Sequence, residues 1–168
     1  MAWEIVGETG SNKDDTSSAH LPVMSSEVLF WLEPRSGGVY VDCTVGYCGH
    51  AVEILRATQP NGILIGLDRD VQAINAGHQR LHTFGNRAVL IQAHFMDLKP
   101  ILSQRDMTRV NGVLFDLGVS SPQLDEASRG FSFRWDGPLD MRMDQGSGPT
   151  AADIVNGLGE VDLANMIY

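Results

Sequence analysis

The chain has no apolar run long enough to cross a membrane; its hydrophobic stretches are strand-length and are broken by Gly, Asp or Pro. It is also poor in cysteine and in basic charge. Its two cysteines, Cys43 and Cys48, lie too close together and too near a glycine turn to act as a structural staple, which fits a reduced, cytoplasmic setting. Lysine and arginine number 12 against 21 aspartates and glutamates, a net charge of −9. That counts against tight binding of a polyanion through charge alone, because phosphate contacts need a basic footprint. A nucleic-acid role must then rest on specific contacts, on a charge-neutralising partner or on a further segment. Residues 1–19 lack the apolar core of a secretion signal and the Arg-rich, acid-poor character of a transit peptide. They are polar, acidic and rich in Ser and Thr, and read as a disordered lead-in. No internal repeat is visible.

What is present suits a globular domain with a real core: 168 residues, 43% of them hydrophobic, with 18 glycines as punctuation. Residues 25–32 read as a short amphipathic helix, with Ser25 as N-cap and Pro34 as its stop. Apolar strands follow at 39–42, 63–67, 88–92 and 112–116, separated by helical stretches at 49–57, 71–81 and 98–105. Continuous apolar strands alternating with helices indicate an α/β fold of Rossmann-like type, a mostly parallel sheet with helices on both faces. Residues 117–143 are rich in Gly, Ser, Pro and Arg and have little periodicity. A loop of that length beyond a strand's carboxyl end is usually functional. Residues 150–168 turn helical again, with Thr150 as N-cap and Ala151, Ile154, Val155 and Leu158 on one face.

The first strand runs straight into Asp42-Cys43-Thr44-Val45-Gly46-Tyr47-Cys48-Gly49-His50. A strand that ends in a carboxylate and breaks into a glycine turn lets the backbone approach a nucleotide-like ligand, with the free N–H groups of the next helix beyond it. The second strand ends in Asp68, where such folds place an acceptor for ribose hydroxyls. Plain strand-end capping by Asp42 and Asp68 is the alternative. A nicotinamide-dependent dehydrogenase shares the Asp68 logic, but the turn lacks G-x-G-x-x-G. Cys43, Cys48 and His50 suggest zinc only weakly, since a structural site needs four ligands; no metal is expected.

His20-Leu-Pro-Val-Met24, Gly46-x-x-Gly49-His50, Asp68-Arg-Asp70, Asp116-Leu-Gly-Val-Ser-Ser-Pro-Gln-Leu-Asp125, Arg129-Gly-Phe-Ser-Phe133 and Asp136-Gly-Pro-Leu-Asp-Met-Arg-Met-Asp144 together resemble the RsmH/MraW family. Its members are S-adenosylmethionine-dependent methyltransferases that modify the exocyclic N4 amine of a cytosine in 16S-type small-subunit ribosomal RNA. The resemblance covers nearly everything from His20 onward, and the stretch from Asp116 to Asp144 is its most specific part. It implies a class I methyltransferase fold, S-adenosylmethionine as cofactor, and ribosomal RNA in the small subunit as partner. It further implies that Cys48, Gly49 and His50 line the methionine side, Asp68 takes the ribose hydroxyls, Phe95 packs by the adenine, and Asp116 and Gln123 close the pocket. Asp116 is also the candidate acceptor for the reacting amine's hydrogens. Phe131, Phe133 and Trp135 are candidates to stack on the target base, with Arg129, Arg134 and Arg142 near phosphates.

The chain departs from the family pattern in two ways. The family's turn reads G-x-G-G-H, and here Cys48 replaces its second glycine. Where that position needs φ > 0 or close passage of the ligand, a side chain weakens binding by about a kcal/mol. The chain also resembles only the N-terminal portion of the family: an incomplete cofactor-binding domain over 20–145, then the start of a helical insertion over 146–168. A catalytically inactive cofactor-binding fragment is therefore the alternative expectation, and an open sheet edge would invite a homodimer.

Overall fold

The computed structural model describes residues 22–167; the expected disordered lead-in at 1–19, and His20 of the first family motif, lie outside them. Four strands, β1 (Val39–Asp42), β2 (Ile63–Asp68), β3 (Ala88–Gln92) and β4 (Gly112–Leu114), form one sheet in the order β3-β2-β1-β4. Every pairing is parallel, with Val41 opposite Ile65 on one side and Val113 on the other. The chain steps outward from β1 to β2 and β3, then returns to lay β4 on the far side of β1. That reversal creates a crevice at the carboxyl ends of β1 and β4, where open α/β sheets hold their ligands.

The period-2 alternation of the strands sorts their side chains into two cores. Tyr40 and Leu64 face α1 (Ser25–Leu32), α2 (Gly49–Ala57) and α3 (Val71–Arg80), packing with Leu29, Ala51, Ile54, Leu55 and Ile74. Val41, Ile65 and Leu67 face the opposite way, onto Leu98, Ile101 and Leu102 of the short α4 (Leu98–Ser103). Each fully buried aliphatic side chain contributes about 1.5–3 kcal/mol, so both faces of β1 and β2 anchor the fold. β4 is the weaker member. It pairs with β1 alone among the described residues, and Val113 within it and Phe115, Leu117 and Val119 beyond it are exposed.

Several boundaries differ from the sequence expectation. Ser25 is not the N-cap of α1: Met24 is, in a left-handed conformation, while the Ser25 hydroxyl reaches back to the Pro22 carbonyl. β4 stops at Leu114 rather than 116, because the Asp116 N–H leaves the ladder and donates to Thr44 Oγ1 at 2.7 Å. The stretch 117–143 is not wholly aperiodic; it contains α5 (Ser121–Asp125) and a 3-10 turn at Ala127–Arg129. The last stretch divides into α6 (Ala151–Gly157) and α7 (Glu160–Ile167), broken where Leu158 turns extended between Gly157 and Gly159. Thr150 does cap α6, accepting from the Asp153 N–H at 3.1 Å. Among the described residues no helix is long and apolar enough to cross a membrane.

Candidate cofactor site

The site is built on the turn after β1. The Asp42 carboxylate is only 1% exposed and accepts the Thr44 N–H at 3.1 Å. Burial pushes its carboxyl up to about 7, and the nearby charges of Asp68 and Asp116 add to the rise. Cys43 N–H donates to Leu114 O and Val45 N–H to Leu67 O, both at 2.9 Å, so the turn is sewn to both neighbouring strands. At Gly46 φ is +47°, and its N–H donates to Asp68 Oδ2 at 2.8 Å. The Asp70 N–H donates to Asp68 Oδ1 at 2.9 Å. Both oxygens of Asp68 are thus held by backbone donors, while burial keeps its pKa above the usual carboxylate range.

Cys48 sits in the left-handed region, φ +65°, as the residue before α2. A Cβ there costs about 1 kcal/mol relative to glycine. The side chain is buried in the core with Ala51, Ile54 and Leu55, and its sulfur lies 2.8 Å from where a Cβ on Gly77 would stand. Burying that small apolar group returns about as much as the backbone strain costs. Burial also pushes the thiol up to about 12, so it stays protonated and unreactive at neutral pH. Gly49 is required by crowding, since a Cβ would come within 2.9 Å of Pro22.

His50, in the first turn of α2, is 8% exposed and points Nε2 at Asp116 Oδ2, 3.6 Å away. The Asp116 carboxylate is open to solvent, and its backbone is fastened over the turn by Thr44. Phe95 follows β3 in a 3-10 turn (Phe95–Asp97) and meets Phe115 edge-on, ring centroids 5.7 Å apart. The two rings form an apolar wall.

Gln123 is buried, but its amide is engaged: Oε1 accepts the Ser120 N–H at 3.0 Å and Nε2 donates to Asp70 Oδ2 at 2.9 Å. Arg129 is not at the surface. It is 1% exposed, donating through Nη1 to Asp70 Oδ2 at 2.7 Å and through Nη2 to the carbonyls of Arg142 and Met143. Arg142 chelates Asp140 at 2.9 and 2.8 Å and donates to Gly148 O, which holds the Asp140 carboxyl well below the usual range. Phe131 is half-buried, whereas Phe133, Arg134 and Trp135 form an exposed tip. Ser132 Oγ shapes that tip by accepting the N–H groups of Arg134 and Trp135.

Two residues of this constellation escaped the sequence reading of the site, Thr44 and Asp70. Asp70 carried a signal: an aspartate immediately before a helical stretch is an N-cap, and Asp70 Oδ1 accepts the Gln72 N–H at 2.9 Å.

The arrangement favours one kind of ligand. The charges of Asp68 and Asp116 act on Asp42 at the carboxyl ends of the strands, so the crevice suits hydroxyl donors and positive charge. The Gly46 N–H, which would otherwise face a pyrophosphate, is taken by Asp68. The topology is that of a Rossmann-like class I methyltransferase fold. A putative rRNA-methylase from Clostridium thermocellum shares that fold, with a TM-score of 0.50 and 20% identity over 56% of this chain and 50% of its own.

Residues 17–168 match the MraW methylase family, and the chain belongs to it. Ribosomal RNA small subunit methyltransferase H of Geotalea uraniireducens (strain Rf4) is 51% identical over 149 residues, 89% of this chain and 48% of that protein. The protein of the same name from Syntrophobacter fumaroxidans (strain DSM 10017 / MPOB) is 52% identical over 149 residues, 89% of this chain and 47% of its own length. The chain spans about half the length of the curated relatives it matches.

Proposed function

We propose that the chain holds S-adenosylmethionine in the β1–β4 crevice and serves methylation of the exocyclic N4 amine of a cytosine in small-subunit ribosomal RNA. The observation that carries the reading is Asp68, a half-buried carboxylate whose oxygens are held by backbone N–H groups. A carboxylate offers about four lone-pair sites, so acceptor capacity remains for ribose hydroxyls. Burial raises its pKa, and hydrogen bonds from such hydroxyls would favour its charged form.

When bound, S-adenosylmethionine supplies a methyl group on positively charged sulfur, open to in-line displacement by a nucleophile. Phe95 and Phe115 give the flat apolar contact an adenine needs, and Gly49 and His50 at the start of α2 would line the methionine end. The crevice carboxylates suit the positive charge on that sulfur. A cytosine amine has its lone pair drawn into the ring, so an acceptor for its hydrogens helps it become nucleophilic in the transition state. Asp116 is the accessible acceptor, with His50 beside it. The target base must be single-stranded or flipped; Phe133 and Trp135 offer stacking surfaces, with Arg134 between them for a phosphate. The open β4 edge is the surface through which a second copy would associate.

The test is calorimetric titration of the chain with S-adenosylmethionine beside Asp68→Ala. Loss of hydrogen bonds to a charged acceptor weakens binding by about 1.5–3 kcal/mol, on the order of ten- to a hundredfold. Equal heats from both proteins, or none from the folded parent, would refute the site.

A further inference from the structure

The buried pair Asp70–Arg129 lies outside the residues that touch a ligand in the reading above, yet it is the most heavily bonded group in the region. Asp70 Oδ2 accepts from Arg129 Nη1 at 2.7 Å and from Gln123 Nε2 at 2.9 Å, while Oδ1 caps α3 through the Gln72 N–H. The other arm of the guanidinium grips the carbonyls of Arg142 and Met143. Through Arg129 and Gln123, Asp70 therefore ties the end of β2 to α5 and to residues 142–143, and both partners of the ion pair are 2% exposed. Asp70 in turn gives its N–H to Asp68 Oδ1. The pair also lies beside the glycine turn: burial raises the Tyr47 phenol pKa, Asp70 adds to the rise and Arg129 opposes it.

We propose that Arg129, acting through Asp70, is a positioning residue for the cofactor: it fixes the backbone at residue 70 and thereby the orientation of the Asp68 carboxylate. This rests on the reading of Asp68 as the ribose acceptor. Among the described residues the hydrogen bonds to Asp68 come from backbone N–H groups, those of Gly46 and Asp70 belonging to two different turns. Its geometry is only as firm as those turns. Arg129 firms one of them across 59 residues of chain, and its planar fork allows it to serve Asp70 and two carbonyls at once. Lysine, a compact point charge, can take the place of the ion pair but not of the whole fork.

The test is a double-mutant cycle on the full chain, with S-adenosylhomocysteine as probe, run well below the thermal midpoint with circular dichroism confirming the fold. Arg129→Met is expected to weaken binding about tenfold, and Asp68→Asn to weaken it at least as much. In the Asp68→Asn background Arg129→Met should add less than about twofold, because the group it positions is already gone. A purely structural arginine would give additive losses, or none in the folded protein, and either result overturns the proposal. Should Arg129→Met fail to fold, Arg129→Lys carries the same cycle, with an intermediate loss that again vanishes in the Asp68→Asn background. Absence of binding by the parent chain would overturn the cofactor reading itself. Parent binding with an unaffected Arg129→Met overturns the positioning role alone.

Discussion

The turn around Gly46 and the tip around Arg134 are opposites in construction. The turn is acidic, sewn to β2 and β4 by backbone hydrogen bonds, and lies over buried side chains. The tip carries two aromatic rings and a guanidinium into solvent on little more than a serine hydroxyl, and Phe133 is fully exposed. A preorganised acidic crevice is suited to a small hydroxyl-bearing cation, because its acceptors are already in place before the ligand arrives. An exposed aromatic and basic tip is suited to a flexible polymer whose bases can stack one at a time. With a net charge of −9, attraction of a nucleic acid would rest on local contacts such as this tip rather than on overall charge.

Asp70→Ala should break the contrast most severely. It removes the cap of α3 and leaves the Arg129 guanidinium buried without its partner, a loss of about 3–5 kcal/mol. Chemical denaturation should then show a much lower midpoint, with the crevice and the 117–143 stretch losing protection from hydrogen exchange together. Independent loss of the two would separate the regions.

Asp42→Asn sharpens the acidic side. A carboxyl raised from its ordinary 3.8 to about 7 binds its proton more tightly in the folded state. Stability therefore falls as pH rises from about 4 to about 7, by at most about 4 kcal/mol, and is level above that range. Asparagine keeps the acceptor for the Thr44 N–H and removes the charge. The variant should be more stable than the parent at pH 8, with a flatter profile between pH 4 and 7. A parent whose stability rises through that window would contradict the buried, repelled Asp42.

The combined change Phe133→Ala and Trp135→Ala should be felt least by the fold, within about 0.5 kcal/mol. It should nevertheless weaken binding of a single-stranded ribosomal RNA fragment by about 1–3 kcal/mol per lost stack, read by fluorescence anisotropy. Unchanged RNA binding would move the nucleic-acid surface elsewhere.

Strands β1, β2 and β3 were legible because each is a short, mostly apolar run set off on at least one side by Gly, Asn or Asp, a pattern fixed by local chemistry. β4 was read two residues too long. Phe115 and Asp116 look like its continuation, and only the distant Thr44 hydroxyl draws them out of the ladder. The left-handed conformation at Cys48 was foreshadowed by the family's glycine there, but not that the sulfur would pack against Gly77. Arg129 shows the limit most clearly. In sequence it is an arginine among glycines and aromatics, the composition of a phosphate contact. Its burial depends on a carboxylate 59 residues earlier, which no local pattern announces.

In the proposed site, Asp68 receives its ligand between the N–H groups of Gly46 and Asp70. Titrating the isotope-labelled chain with S-adenosylhomocysteine and following backbone amides by NMR tests this directly. Saturable shifts of the Gly46 and Asp70 amides, with residues 131–135 unmoved, are the predicted result. A folded protein whose Gly46 and Asp70 amides stay still, or in which only 131–135 respond, would contradict it.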